Sequence, residues 1–296
     1  VSFPGGTREK HQGIAIMHSE DNGKTWSEPK DIAEDVYAMF DKCSRGPVRA
    51  MFIGSGKIHQ SRYTKTGKYY RLYCSNLVTD VNGARLNYVL YSDDFGETWK
   101  VLGDKEDVPI INGDEPKVEE LPDGRIIISS RCGGGRLFNI FDFENKEQAT
   151  GKWGKQAFSG AENNGTTAKN NACNGEILVV PAIRTSDNQS THLVLQSVPF
   201  GPGRTNVGIY YKDLRDASSY DTPANFAKDW SGNIQATTLP SAYSTMTLQA
   251  DNTIGFLFEE ETHCSSWGGG YTIKYQKYAI EDITGGAYKI DKKNVK

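Results

Sequence analysis

SEDNGKTW occupies residues 19–26 and SDDFGETW residues 92–99. The two stretches share the pattern S-x-D-x-G-x-T-W and differ at every x. Each fixed residue has a physical task in a tight hairpin. The Ser hydroxyl bonds the backbone of the turn, and the Asp accepts amides within its own turn. The Gly takes a positive φ, the Thr opens the next strand, and the Trp folds its ring under the hairpin as a plug. So read, the repeat stabilises a fold, and Asp21 and Asp94 are structural rather than catalytic. Two degenerate copies follow, FDFENKEQATGKW ending at Trp153 and a longer one from YKDLRD to KDW at Trp230. The four tryptophans are 73, 54 and 77 residues apart, each interval long enough for a four-stranded sheet with its loops.

Most of the chain between these copies reads as strand. GIAIMH (13–18), YYRLYCS (69–75), LNYVLYS (86–92), RIIISSR (125–131), EILVVPAI (176–183), HLVLQSV (192–198), NVGIYY (206–211), TIGFLFEE (253–260) and YTIKYQKYAI (271–280) are short and rich in β-branched and aromatic residues. Turn formers bound them, among them Thr66-Gly67, Asn112-Gly113, Pro122-Asp123-Gly124 and Asp251-Asn252. Helical periodicity is weak, with AEDVYAMFDK (33–42) the one candidate for a turn or two of helix. No Pro- or Ser-rich linker divides the chain, so residues 1–296 read as one all-β domain. Many short strands need an architecture that hides sheet edges, and a repeat of this length selects a propeller over a sandwich or a simple barrel.

Composition excludes several functions. A length of 296 residues with 37% hydrophobic content supports a sizeable core. A net charge of −3 lacks the basic excess that nucleic acid demands. No apolar run approaches the roughly 18 residues of a membrane-spanning helix. Five cysteines (Cys43, Cys74, Cys132, Cys173, Cys264) stand singly, as free thiols rather than a disulfide framework or a zinc site. His11, His18, His59, His192 and His263 show no H-E-x-x-H spacing, and neither a metal nor another cofactor is expected. GGGR (133–136) lacks the ending and following helix of a phosphate loop.

The S-x-D-x-G-x-T-W pattern resembles the Asp box of sialidases and related propellers, and further segments keep the order of that family over residues 13–281. NGDEPKVEELPDGRIIISSR (112–131) resembles its segment of Glu, strand, D-G turn and strand ending in Arg. SVPFGPGRTNVGIYY (197–211) resembles the segment with the last arginine of its carboxylate-binding triad. SAYSTMTLQADNTIGFLFEE (241–260) resembles the late segment with the nucleophilic Tyr, and GSGKIHQ (54–60) more loosely a glycine-rich loop. The resemblance implies a six-bladed β-propeller and an exo-α-sialidase. It implies Tyr243 as nucleophile, Glu115 as its base, and Arg131 and Arg204 as ligands of the substrate carboxylate. Glu259 follows as a support for an arginine. Taken alone, Arg131 reads as a surface arginine and Tyr243 as one of 15 packing tyrosines.

The chemistry explains these residue types. Sialic acid carries a carboxylate on its anomeric carbon. Guanidiniums grip a carboxylate through paired donors. A carboxylate nucleophile would be repelled by that charge, whereas a phenol is neutral; sialidases are the known Tyr-nucleophile exception among glycosidases. A phenol ordinarily titrates near pH 10 and needs a base within hydrogen-bond reach. The chain departs from the family pattern at its start. No R-I-P segment supplies a first arginine, and no Asp precedes Asp21; Glu9 lies about where the family's acid falls. The expectation is therefore a propeller with an incomplete first blade, from a truncated or processed catalytic domain. The implied partner is a sialylated glycan, and the implied location is secreted or periplasmic. Two alternatives stay open: a sialoside-binding propeller without catalysis, and an Asp-box propeller acting on another glycan or on a protein.

Overall fold

A computed structural model describes residues 6–10, 12–54, 56–262 and 270–295. Ser55, His11, His263 and Cys264 lie outside the described residues. The chain opens with a two-stranded sheet, β1 (Ala15–Ile16) and β2 (Lys30–Asp31), followed by helix α1 (Ala33–Ala38). The next sheet comprises β3 (Val48–Ile53), β4 (His59–Thr66), β5 (Tyr69–Asp80), β6 (Arg85–Ser92), β7 (Lys100–Val101) and β8 (Ile110–Ile111), with β3-β5-β6-β7 as its main path. A third holds β9 (Pro116–Glu120), β10 (Ile126–Cys132), β11 (Gly135–Asn145) and β12 (Thr150–Trp153), with β13 (Ala157–Ser159) on β11. A fourth holds β14 (Ile177–Arg184), β15 (Ser190–Pro199), β16 (Val207–Asp213) and, after α2 (Pro223–Ala227), β17 (Gly232–Gln235). The last is β18 (Ser241–Leu248), β19 (Ile254–Thr262) and β20 (Gly270–Tyr278). After α3 (Ile280–Thr284), strand β21 (Tyr288–Ile290) returns to pair with β14.

The four larger sheets follow one another face to face. One apolar cluster joins β5 and β6 to β9–β11 through Tyr73, Val89, Val118, Ile126 and Phe141. A second joins β10 and β11 to β14 and β15 through Ile127, Phe138, Val179 and Val194. A third joins β14–β16 to β18 and β19 through Val180, Leu195, Ile209, Phe256 and Phe258. A fourth seats α1 and β1 on the first large sheet. Sheets covered on both sides need strands buried on both faces, and Ile126 through Ser130 are buried without a break. The arrangement is all-β and propeller-like, with four blades. All nine strand-like runs lie on strands, though GIAIMH contributes only Ala15 and Ile16.

The Asp boxes sit in the connections β1–β2 and β6–β7. Asp94 Oδ1 accepts the Thr98 amide at 2.9 Å, and its Oδ2 accepts the Thr98 hydroxyl at 2.6 Å. Asp21 does the same with Thr25 at 2.9 and 2.7 Å. Gly23 and Gly96 have φ of 83° and 94°, and the preceding Asn22 and Phe95 are also left-handed. The tryptophan plug needs correcting at the first copy. Trp99 packs against the core beneath α1, whereas Trp26 is 60% exposed although its indole reaches the Gly23 carbonyl at 3.2 Å. Trp153 and Trp230 are buried at the edge strands of the third and fourth sheets, without the Asp cage.

Candidate active site

Glu115 and Arg131 flank the open end of the β9–β10 hairpin, whose closed end is the Pro122-Asp123-Gly124 turn. The Asp114 amide donates to the Arg131 carbonyl at 3.0 Å, which continues the ladder past the strand and sets the two side chains beside each other. Arg131 Nη1 donates to Glu115 Oε2 at 2.8 Å. Glu115 is 4% exposed. Asp114 receives Arg85 Nη1 at 3.0 Å and stands 3.9 Å from Arg131 Nε.

Tyr243 comes from a different sheet, and a bulge aims it. The β18–β19 register shifts between Ser241 and Ser244, so Ala242 and Tyr243 drop out of the ladder. A bulge bends its strand and redirects the side chain it carries. The amide freed at Tyr243 donates to Glu259 Oε2 at 3.0 Å. The Tyr243 hydroxyl then donates to Glu115 Oε1 at 2.6 Å and accepts from Arg131 Nη1 at 3.0 Å. Burial, with the hydrogen bond and charge of Glu115 added, pushes the phenol up to about 12. Burial opposes the charge on Arg131, but the Glu115 contact outweighs it and raises that guanidinium above its ordinary value.

Arg204 lies in the β15–β16 loop and accepts the Ser241 amide at its carbonyl, 2.8 Å away. That bond ties the loop to the start of β18. Its guanidinium stands 5.7 Å from the centre of the Tyr243 ring and makes no ion pair among the described residues. Glu115, Arg131, Tyr243 and Arg204 therefore meet from three sheets. A cavity of about 370 Å³ opens on Tyr243, lined by Gly56, Asn174, Ser244, Thr245 and Glu259 with an apolar wall of Leu257, Phe258 and Ile273. The two arginines do not line it.

Comparison with known proteins gives this geometry a context. Residues 90–101 match the BNR/Asp-box repeat model. A sialidase of Clostridium perfringens is 29% identical over 136 residues, covering 42% of this chain and 30% of that protein. In this repeat, in this relative and in its fold the chain resembles bacterial-type sialidases. Among solved structures, a leech intramolecular trans-sialidase superposes with a TM-score of 0.65 at 20% identity, over 93% of this chain and 37% of its own. A sialidase of Streptococcus pneumoniae gives 0.63 at 21% identity, over 92% of this chain and 36% of its own. The chain thus spans well under half the length of these sialidases.

Other expectations meet the structure less simply. Glu259 holds the Tyr243 amide, and no ion pair joins it to an arginine among the described residues. Glu9 lies on a single 3-10 turn (Arg8–Lys10) and borders a separate cleft with Pro47, Val48, Arg49 and Val81, away from Tyr243. Its loop is anchored there by Arg8, which pairs with Glu34 and Asp41, and the Glu9 side chain is exposed.

Several charged groups around the site left no trace in the sequence reading. Arg136, from the GGGR run, is fully buried and donates to the Ser129 hydroxyl at 3.0 Å and the Cys173 carbonyl at 3.1 Å. Glu119 and Glu120, at the far end of β9, gather Lys57 at 2.6 Å, His59 at 3.2 Å and Arg62 at 2.9 Å from the neighbouring sheet. Lys57 and Arg62 also donate to the carbonyls of Ile177 and Val179 on β14, at 3.3 and 2.9 Å. The usable signal was the alternation E-x-K-x-E from Glu115 to Glu119, which places three charges on one face of a buried strand.

Proposed function

We propose that this chain carries the reacting groups of an exo-α-sialidase. Tyr243 is the nucleophile, Glu115 Oε1 takes its proton, and Arg131 and Arg204 bind the sialic acid carboxylate. The observation that carries this reading is the chain of contacts from Arg131 to Tyr243 to Glu115. With its phenol pushed to about 12, Tyr243 stays protonated at neutral pH, so attack needs a base already in contact. Glu115, at 2.6 Å, is that base. As the Tyr243 oxygen bonds to the anomeric carbon, the phenol proton passes to Glu115 and the glycosidic oxygen leaves with its electron pair. Water then attacks the same carbon and gives its proton up to solvent, while Glu115 returns the phenol proton to the departing Tyr243 oxygen, so Tyr243 is released with net retention and Glu115 is again a carboxylate. Arg131 donates to the Tyr243 oxygen in the resting site and steadies the charge that develops there.

In this reading residues 1–296 belong to one six-bladed propeller domain. A further sheet would cover the outer face of β19 and β20, where Leu257, Tyr271, Ile273 and Tyr275 are exposed. Sialylated glycans lie outside cells, which places the protein in a secreted or periplasmic setting. The test is turnover of a fluorogenic aryl sialoside, whose leaving group departs without help from an acid. A fluorinated sialosyl trap should label the peptide containing Tyr243, read by mass spectrometry. Folded protein that binds sialosides but neither turns them over nor accepts the trap would make it a sialoside-binding propeller. Product analysis distinguishes free sialic acid from an internally transferred anhydro sugar.

A further inference from the structure

Asp114 stands between Arg85 and Arg131 at the open end of the β9–β10 hairpin. Its backbone is fixed on three sides. Its amide donates to the Arg131 carbonyl at 3.0 Å, and its carbonyl accepts from Asn87 Nδ2 at 2.9 Å. Asn87 is fully buried and is itself held by the Ser130 hydroxyl at 2.5 Å. The preceding Gly113 is pressed so close that an added methyl group would collide with Ser130 Oγ and Asn87 Oδ1. The Asp114 side chain therefore leaves a rigid base. It is buried, with Oδ2 3.0 Å from Arg85 Nη1 and 3.9 Å from Arg131 Nε. The donors of Arg131 can be counted against this. A guanidinium has five N–H groups, two on each Nη and one on Nε. Nη1 donates to Glu115 Oε2 at 2.8 Å and to the Tyr243 hydroxyl at 3.0 Å, which commits both of its protons. Nε is buried without a hydrogen bond and faces Asp114. Nη2 makes no hydrogen bond among the described residues, so it is the nitrogen left for a substrate carboxylate.

We propose that Asp114 is a positioning residue whose carboxylate backs the Nε edge of Arg131, so that the guanidinium keeps Nη1 on Tyr243 and Glu115 and turns Nη2 to the substrate carboxylate. The proposal rests on the sialidase reading above. Two guanidiniums flank the one carboxylate, so Arg85 balances the charge of Asp114. Arg131 is thereby oriented without losing its attraction for an anion. One effect runs the other way, since removing Asp114 would leave Arg85 as an added cation near the ligand. The Arg85 side chain is 42% exposed, so water and salt screen it, and orientation outweighs the added charge.

Calorimetry with two ligands tests this, an unsaturated sialic acid analogue and its methyl ester, which lacks the carboxylate charge. Asp114→Ala should weaken the acid by about tenfold and the ester by less than about twofold. Asp114→Asn keeps an acceptor at the same reach and should stay within about threefold of wild type for both. Asp114→Ser is too short to back Nε and should behave as Ala, which keeps the test open if Ala does not fold. Equal weakening of acid and ester would make Asp114 a support of the loop alone, and a tighter acid complex would make its charge an opponent of the ligand. Either result overturns the proposal. A second measurement needs no ligand. In protein labelled with nitrogen-15 arginine, the Arg131 Nε–H signal, assigned through Arg131→Lys, should exchange with water about tenfold faster in Asp114→Ala than in wild type. An unchanged rate overturns the proposal. Wild type that binds neither ligand would sink the sialidase reading alone, and the exchange rate would still decide whether Asp114 holds Arg131.

Discussion

The Tyr243 hydroxyl reaches Glu115 Oε1 at 2.6 Å across 128 positions of sequence. The contact closes only because β9 and β18, from sheets separated by the β14–β17 sheet, bring these residues to one end of the stack. Its tightness also fixes its chemistry. The carboxylate favours the protonated phenol, so the proton shared between them defines the resting state.

Tyr243→Phe removes the attacking oxygen and leaves the ring under the Arg204 guanidinium. Turnover of an aryl sialoside should fall by about 10³-fold or more, while calorimetric binding of a sialic acid analogue changes by less than about fivefold. A rate within tenfold of wild type would remove Tyr243 from the nucleophile role.

Arg204 makes no ion pair among the described residues, so a bound carboxylate would be its first anionic partner. Arg204→Ala should raise KM by about tenfold or more and also lower kcat. Arg204→Lys should recover part of this, since it restores charge without the planar fork. Equal kinetics for all three proteins would place the carboxylate elsewhere.

The two Asp boxes separate stability from activity. Asp94→Ala removes acceptors for the Thr98 amide and hydroxyl and should cost about 2 kcal/mol of unfolding free energy. Asp21→Ala acts in a more open hairpin beside the exposed Trp26 and should cost less. In both variants kcat at a temperature where the protein is folded should match wild type. A specific loss of kcat in Asp94→Ala would show that the box does more than hold a turn.

What the sequence disclosed divides along the same line between local and distant contacts. The strands were legible because β-branched runs and Gly, Asn and Asp turns act over a few residues. The Asp cage was legible because its partners lie within four residues. The roles of Glu115, Arg131, Arg204 and Tyr243 came from family order, since no local pattern distinguishes Tyr243 from other tyrosines. The bulge at Ala242–Tyr243 escaped notice because it depends on Glu259 across the hairpin. The knot of Lys57, His59 and Arg62 on Glu119 and Glu120 was invisible for a similar reason. Its members sit 57 to 62 residues apart and meet only when the sheets stack.

That knot makes a pH-dependent prediction. Burial alone would raise Glu119, but the charges of Lys57, His59 and Arg62 outweigh it and hold the carboxyl well below its ordinary range. A folded-state value below the unfolded one stabilises the protein above the unfolded pKa, about 4.3, and the benefit is lost as pH falls below it. Glu119→Gln should therefore destabilise by about 3 kcal/mol or more near pH 7, by stranding buried cations. The gap between the two proteins in urea unfolding should narrow as pH falls below about 4. A gap that stays constant from pH 7 to 3 would assign the loss to packing instead.

The last prediction concerns how Tyr243 is aimed. Glu259 takes the amide that the bulge frees, so it fixes backbone rather than substrate. Glu259→Ala leaves that amide without its acceptor and lets the strand slip toward a regular ladder, which would swing the phenol off Glu115. The expected result is a fall in kcat of about 10²-fold with a smaller change in KM, because a displaced nucleophile is penalised in the transition state. Glu259→Gln keeps a carbonyl at the same reach and should retain most of the rate. If Gln and Ala are equally impaired, the charge of Glu259 matters in its own right. If neither is impaired, the bulge is held by the strand itself.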